Sequence, residues 1–170
     1  MSKRASVGLA VAWLAVCNGA LAAETAEHGA AQPAPHRHHT HRQFTFGEPG
    51  KEAEAARTVE VVALDTMRYE PAQVTVKVGE TIRFVFKNAG QMPHEAMLGD
   101  AAEQHSHGEM MKKHPGMVHD DPNAVSLKPG ESKPLVWKFT APGEVLVGCH
   151  VPGHHDAGMV GRIDVLSTGP

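Results

Sequence analysis

Short runs of alternating apolar and polar residues fill most of the chain after residue 57, and they constrain its fold more than any other feature. The clearest of these runs are residues 58–64, 73–78, 81–87, 135–139, 144–149 and 159–165. A period of two is typical of strands with one buried face and one solvated face. Turn-forming pairs such as Pro129-Gly130 and Pro142-Gly143 separate the runs. About seven or eight short strands at this spacing predict an all-β sandwich or barrel.

One segment between the predicted strands, residues 99–123, does not alternate. Asp100 followed by Glu103 resembles a capping box, helix-forming residues come next, and Pro115-Gly116 ends the stretch. The sequence therefore predicts a short helical insertion in the sandwich.

The N-terminal part of the chain has a different composition. Residues 1–23 carry Lys3 and Arg4, an apolar run at 7–16 and small residues near Ala22, which is the pattern of a cleaved secretory signal peptide. Residues 24–56 are rich in Ala, Pro, Gly, His and Glu without aliphatic periodicity, so a disordered leader is predicted. One domain, residues 57–167, remains.

The charge balance excludes some functions. Cleavage removes Lys3 and Arg4 from 16 basic residues and leaves 14 against 19 acidic ones, a formal net charge of −5 with histidine neutral. A nucleic-acid ligand is not expected for such a chain. We also expect no membrane association after cleavage, and a monomer.

Cleavage removes Cys17 and leaves Cys149 without a disulfide partner. An unpaired thiol in an oxidising compartment is a liability unless it has a partner such as a metal. Cys149 ends a predicted strand, and the turn at Pro152-Gly153 lets His154 fold back beside it. Met159 can approach from a third side.

A thiolate, an imidazole and a thioether form a soft donor set that suits copper, whereas a thioether is a poor fourth ligand for zinc. A second histidine completes the set, and His94 is the candidate because it follows a turn and Pro93 at the end of a predicted strand. The alternative is structural, with Cys149 as a small buried residue and Met159 as core filler. His150 and His155 are predicted to lie at the surface.

Asn88 precedes His94 in the same turn region and has two interpretations. Its side chain could tie the two ligand-carrying loops together. Alternatively, Asn88 could simply tolerate a left-handed turn conformation.

The chain resembles a cupredoxin over residues 58–166, through the segments YEPAQVTVKVGETIRFVFKNAGQMPHE and GCHVPGHHDAGMVG. Four residues separate Cys149 from His154, and four separate His154 from Met159, as in the azurin-like loop. The resemblance implies a Greek-key β-sandwich with one type 1 copper ion held by His94, Cys149 and His154, and Met159 as axial ligand. The two cysteines of azurin's disulfide are absent.

The segments PHEAMLGD and EMMKKHPGMVHDDPNAV are similar to those of small periplasmic cupredoxins associated with bacterial copper tolerance. The resemblance implies a periplasmic protein that binds copper for copper tolerance and could also transfer electrons. An enzyme is not expected, because the further histidine-rich ligand motifs and the second cupredoxin domain of copper oxidases and nitrite reductases are absent from the sequence. One alternative is a dedicated electron carrier with a redox protein partner. A Cu(I)-oxidising enzyme is a further alternative.

Two histidine-rich regions could add weak copper sites. In a helical insertion, His107, Met110, Met111 and His114 would share one face, with Met117 and His119 following. This face either binds cuprous ion or packs its methionines against the sandwich while its histidines face water. The leader histidines either capture copper or only keep the tail soluble; they are His28, His36, His38, His39 and His41.

Overall fold

The structure, a computed structural model, describes residues 43–115 and 121–169. The predicted signal peptide, residues 24–42 of the predicted leader, Met117 and His119 lie outside these residues. The strands are β1 (Gly47–Pro49), β2 (Arg57–Leu64), β3 (Arg68–Glu70), β4 (Gln73–Lys77), β5 (Thr81–Asn88), β6 (His94–Gly99), β7 (Ala124–Leu127), β8 (Ser132–Phe139), β9 (Gly143–Gly148) and β10 (Val160–Leu166). A 3-10 helix spans Glu52–Glu54, and one α-helix, α1, spans Ala101–Lys113.

The strands form two five-stranded sheets, which confirms the predicted all-β sandwich. One sheet has the order β1-β8-β5-β2-β3 and the other β4-β10-β9-β6-β7. Most neighbours are antiparallel, but β2 pairs in parallel with β5, and β4 with β10. The chain crosses between the sheets several times, and in the second sheet β6 pairs antiparallel with β9, with Met97 opposite Gly148. This pairing brings the start of β6 close to the residues that follow β9.

The core lies between the two sheets and is built by the alternation seen in the sequence. In β5, Ile82, Phe84 and Phe86 are fully buried, while Lys87 is exposed. Trp137 and Phe139 of β8 meet them from the neighbouring strand. Burial of each such side chain stabilises the fold by roughly 1.5–3 kcal/mol, so this sheet contributes much of the stability of the domain.

The sandwich begins before residue 57, so the predicted boundary of the leader at residue 56 is too late. Gly47–Pro49 pairs antiparallel with β8. Phe46 is buried and stacks on Trp137, with ring centroids 5.2 Å apart. Phe44 contacts the same indole edge-on. These two aromatic residues supply the apolar area that the rest of the segment lacks.

The helical insertion is confirmed, and its start has the predicted cap. The Asp100 side chain accepts a hydrogen bond of 2.9 Å from the Glu103 backbone N–H. The inward face consists of Gln104, His107 and Met111, which are buried. The interpretation in which the helix histidines face water is therefore wrong for His107, although residue 114 is exposed and Met110 is half-buried.

Among the described residues, no helix combines the length and apolar character needed to cross a bilayer.

Candidate metal centre

Two histidines and the cysteine predicted as ligands come together at one end of the sandwich. His94 begins β6, Cys149 directly follows β9, and His154 lies in the loop that leads to β10. Their ligand atoms all lie within 4.8 Å of one another. The Cys149 Sγ is 3.4 Å from the His154 Nδ1, and the two imidazole centroids are 5.1 Å apart. These three side chains could hold one metal ion.

The loop between Cys149 and Met159 is closed by its own backbone hydrogen bonds. The Cys149 N–H donates to the Met159 carbonyl at 3.2 Å, and the Met159 N–H donates to the His154 carbonyl at 3.0 Å. Gly153 and Gly158 both have positive φ, 84° and 90°, a conformation that glycine adopts without strain. The tight loop therefore fixes His154 beside the sulfur. The Met159 side chain is fully buried, and its role as axial ligand remains a prediction.

The imidazole of His94 is oriented by a residue that the sequence did not reveal, Asp65. The His94 Nε2 lies 3.0 Å from the Asp65 Oδ1, and the His94 Nδ1 is buried without a hydrogen-bond partner. Hydrogen bonds from the backbone N–H of Gln91, from the His94 side chain and from the N–H of Met92 lower the pKa of the Asp65 carboxyl, against desolvation. A carboxylate on one ring nitrogen leaves the other as the metal donor.

Asn88 holds the loop that carries His94. Its side-chain amide donates to the Met92 carbonyl at 2.7 Å and to the Leu127 carbonyl at 3.2 Å. Leu127 of β7 is the register partner of His94. The only positive φ among described non-glycine residues belongs to Met67, so the left-handed interpretation of Asn88 is wrong. The hydrogen bonds tie the His94 loop to β7 rather than to the Cys149 loop.

Cys149 is a free, fully buried thiol. Its Sγ accepts a hydrogen bond from the Glu95 backbone N–H at 3.3 Å. Burial raises the pKa of the thiol to about 11, although the N–H groups of Glu95 and Val151 act in the opposite direction. Burial, followed by proximity to His94, lowers the pKa of His154 and keeps that imidazole neutral at neutral pH. A bound cation compensates for the cost of a buried thiolate, so the donor set fits copper.

The prediction that His150 and His155 lie at the surface is wrong for His150, which is buried. Its backbone N–H donates to the Glu95 Oε2 at 3.1 Å, and its Nε2 lies 2.7 Å from the Gln104 Oε1. His155 is half-buried and stacks on His150 at 4.6 Å. The prediction for His150 relied on strand alternation, but β9 ends at Gly148, so alternation does not apply to this side chain.

Burial, then the neighbouring His155 and His107, lower the pKa of His150 to about 4, against the attraction of Glu95 and Asp156. His150 is therefore a neutral imidazole at physiological pH, beside the cysteine.

The two-sheet sandwich with Cys149 and two histidines converging at one end defines a copper-binding cupredoxin. The sequence profile of the family described as copper binding proteins, plastocyanin/azurin family, matches residues 56–166. The chain therefore belongs to the plastocyanin/azurin family of copper-binding proteins.

Known relatives agree with this assignment. The chain is 44% identical over 156 residues to the copper-resistant cuproprotein CopI of Rubrivivax gelatinosus, covering 88% of this chain and 93% of that one. It is 38% identical over 149 residues to CopI of Pseudomonas aeruginosa, covering 71% and 82%. Among solved structures, reduced auracyanin of Roseiflexus castenholzii superposes with a TM-score of 0.59 at 25% identity, covering 66% of this chain and 98% of that one.

Proposed function

We propose that this chain is a periplasmic copper protein that serves copper tolerance and holds one ion with His94, Cys149, His154 and Met159. The observation that carries the proposal is the convergence of three donor atoms within 4.8 Å around a free thiol. The unpartnered Nδ1 of His94 supports it, because a buried polar atom without a hydrogen bond is costly unless a ligand satisfies it. The similarity to proteins named copper-resistant cuproprotein CopI supports the role in copper tolerance.

Copper in such a site supplies one-electron chemistry between its cuprous and cupric forms. The protein contributes a donor set that is already in place. His94 is fixed by Asp65, and His154 by the closed loop after Cys149. Because the two imidazoles are buried and already fixed in place, the side chains of the site need to move little when the charge of the metal ion changes. Such a site binds copper tightly and exchanges electrons with little rearrangement.

Growth in excess copper tests the physiological role. A strain lacking the protein is supplied with the wild-type gene, with Cys149→Ser, or with Ser167→Ala as a control at an exposed position. We expect the wild type and Ser167→Ala to restore growth, and Cys149→Ser to fail at equal protein level. Equal rescue by Cys149→Ser would refute a role that depends on this site.

A dedicated electron carrier is the second candidate function, and one surface feature favours it. Met92 is 37% exposed, a rare large apolar side chain at the surface of the described residues, and it lies in the loop that carries His94. An apolar residue beside a redox ligand suits transient docking of a redox partner. A respiratory defect in the deletion strain, with unchanged copper sensitivity, would favour this function over tolerance.

The periplasmic location rests on the signal-peptide pattern in residues 1–23. Mass spectrometry of the exported protein should find a mature N-terminus near residue 24. An exported chain that retains residue 1 would contradict cleavage.

A further inference from the structure

Glu95 is a buried carboxylate in a strand whose six residues are all buried. It is 2% exposed and immediately follows the ligand His94. Its backbone N–H donates to the Cys149 Sγ, and its backbone carbonyl accepts a hydrogen bond from the Tyr69 hydroxyl. A buried carboxylate is costly unless hydrogen bonds and charges compensate for it. The partners of this carboxylate therefore indicate what it does.

The carboxylate contacts two donors. The backbone N–H of His150 donates to its Oε2 at 3.1 Å, and the His107 Nε2 lies 3.1 Å from Oε1 and 3.3 Å from Oε2. His107 projects inward from α1, and its side chain is 2% exposed. The pair thus connects the helical insertion to the peptide that directly follows Cys149.

A second polar side chain of α1 contacts His150. Gln104, one turn before His107, places its Oε1 2.7 Å from the His150 Nε2 and donates through its Nε2 to the Met97 and Leu146 carbonyls. Both the backbone and the ring of His150 are therefore held by groups that depend on the helix. Gly148 makes this approach possible, because a Cβ there would lie 2.1 Å from the Gln104 Oε1.

The helix is not required to complete the sheet. β6 and β7, which it connects, already pair antiparallel, with Met97 opposite Ala124. A short turn could join two such strands. A buried histidine and a buried glutamine on the inward face of α1 are therefore unexplained by the sandwich alone.

We infer that Glu95 and His107 form a positioning pair through which the helical insertion holds the Cys149–His150 segment and sets the reduction potential of the copper site. The inference rests on the proposed function, in that Cys149 must bind copper. Hydrogen bonds around a ligating sulfur tune the potential of such a site, and a nearby carboxylate stabilises its more positive, cupric state.

Glu95→Gln tests the charge at nearly constant size, and His107→Phe removes the donor that fixes the carboxylate. His107→Gln retains an N–H donor and serves as the conservative variant. His105→Gln, at an exposed position of the same helix, is the matched control. The full chain is used throughout. The measurements are the reduction potential and visible absorption of the copper-loaded protein, and amide hydrogen exchange at His150 in the apoprotein.

We expect Glu95→Gln to raise the potential, and His105→Gln to leave it unchanged. In the apoprotein, His107→Phe should speed exchange of the His150 amide by about tenfold, the effect of losing one charge-assisted hydrogen bond, with partial recovery in His107→Gln. A purely structural role would leave the potential of Glu95→Gln at the wild-type value.

The inference is overturned if the wild type binds copper but Glu95→Gln has the wild-type potential, or if His107→Phe leaves the His150 amide equally protected. Failure of the proposed function would be recognised by a different observation. In that case the wild-type protein itself shows no copper absorption that depends on Cys149.

Discussion

The Nε2 of His94 and the Oδ1 of Asp65 lie 3.0 Å apart, and this contact leaves the buried Nδ1 of His94 as the free donor of the ring. Asp65 is itself fixed by the N–H groups of Gln91 and Met92. The orientation of a ligand on β6 is thus set by a carboxylate in the turn between β2 and β3. Loss of such an outer hydrogen-bond partner typically lowers metal affinity by about 10- to 100-fold.

Removing this carboxylate should weaken copper binding without removing a ligand. Asp65→Ala frees the ring of His94 to rotate, so we expect affinity for Cu(II) to fall by about 10- to 100-fold, measured by competition with a chelator. Asp164→Ala on β10 is the control, because Asp164 pairs in register with Glu144 at the far end of β9.

Gly90→Ala should reproduce the loss by a different route. A Cβ at residue 90 would lie 1.9 Å from the Asp65 Oδ1 and would displace the carboxylate. Wild-type affinity in both variants would show that Asp65 does not orient the ligand.

Copper binding should release the thiol proton of Cys149. The pKa of this thiol is about 11, and a metal binds the thiolate, so one proton leaves from this group at neutral pH. The apparent affinity should therefore rise about tenfold per pH unit from this group alone. Calorimetry in buffers of different ionisation enthalpy measures the release directly. A pH-independent affinity between pH 7 and pH 9 would contradict thiolate ligation.

His150 should make the apoprotein less stable in mild acid. Its pKa of about 4 in the fold is below its usual 6.5, so the unfolded chain binds more protons between these values. The free energy of unfolding therefore falls as the pH drops from about 6.5 to 4, by about 3 kcal/mol in total from this group. His155 and His107, which face the ring, act together with burial in lowering this pKa, whereas Glu95 and Asp156 oppose them.

Urea unfolding of the apoprotein at several pH values measures this slope, and His150→Gln isolates the contribution of the imidazole. The variant should lose part of the pH dependence between pH 6.5 and pH 4. An identical slope in both proteins would mean that His150 is not held neutral by burial.

The strands with strict alternation, such as β5 and β8, could be predicted because each has one buried and one solvated face. The convergence of His94, Cys149 and His154 at one end of the sandwich could be predicted from residue type and spacing within loops. Strand β6 could not, since all six of its residues are buried and no period of two appears. Helix α1 covers the face of β6 that solvent would otherwise reach. Nothing in the local sequence of β6 indicates that this face is covered.

The buried network of Glu95, His107 and His150 could not be read from the chain for a related reason. Its members come from β6, α1 and the loop after β9. Glutamate and histidine are residue types that are seldom fully buried, so none of the three residues indicates its burial by itself. The alternation of side-chain directions in β9 also ends at Gly148, one residue before Cys149. The directions of His150 and His155 are therefore set by the loop.

The N-terminal extension of the sandwich should contribute measurably to stability. Phe46 is buried against Trp137, so Phe46→Ala should lower the free energy of unfolding by about 3 kcal/mol in the apoprotein. Leu166→Ala, at a side chain 50% exposed, is the control and should change it little. Equal stability of both variants would indicate that the sandwich begins at β2, as the alternation alone suggests.

Titration of the full chain with Cu(II), followed by visible absorption and EPR, tests the metal centre most directly. We predict an intense thiolate-to-copper band that saturates at one equivalent and is absent in Cys149→Ser, while histidine-only binding elsewhere persists in both proteins. The absence of such a band in the wild type, or its survival in Cys149→Ser, would contradict a copper site built on this sulfur.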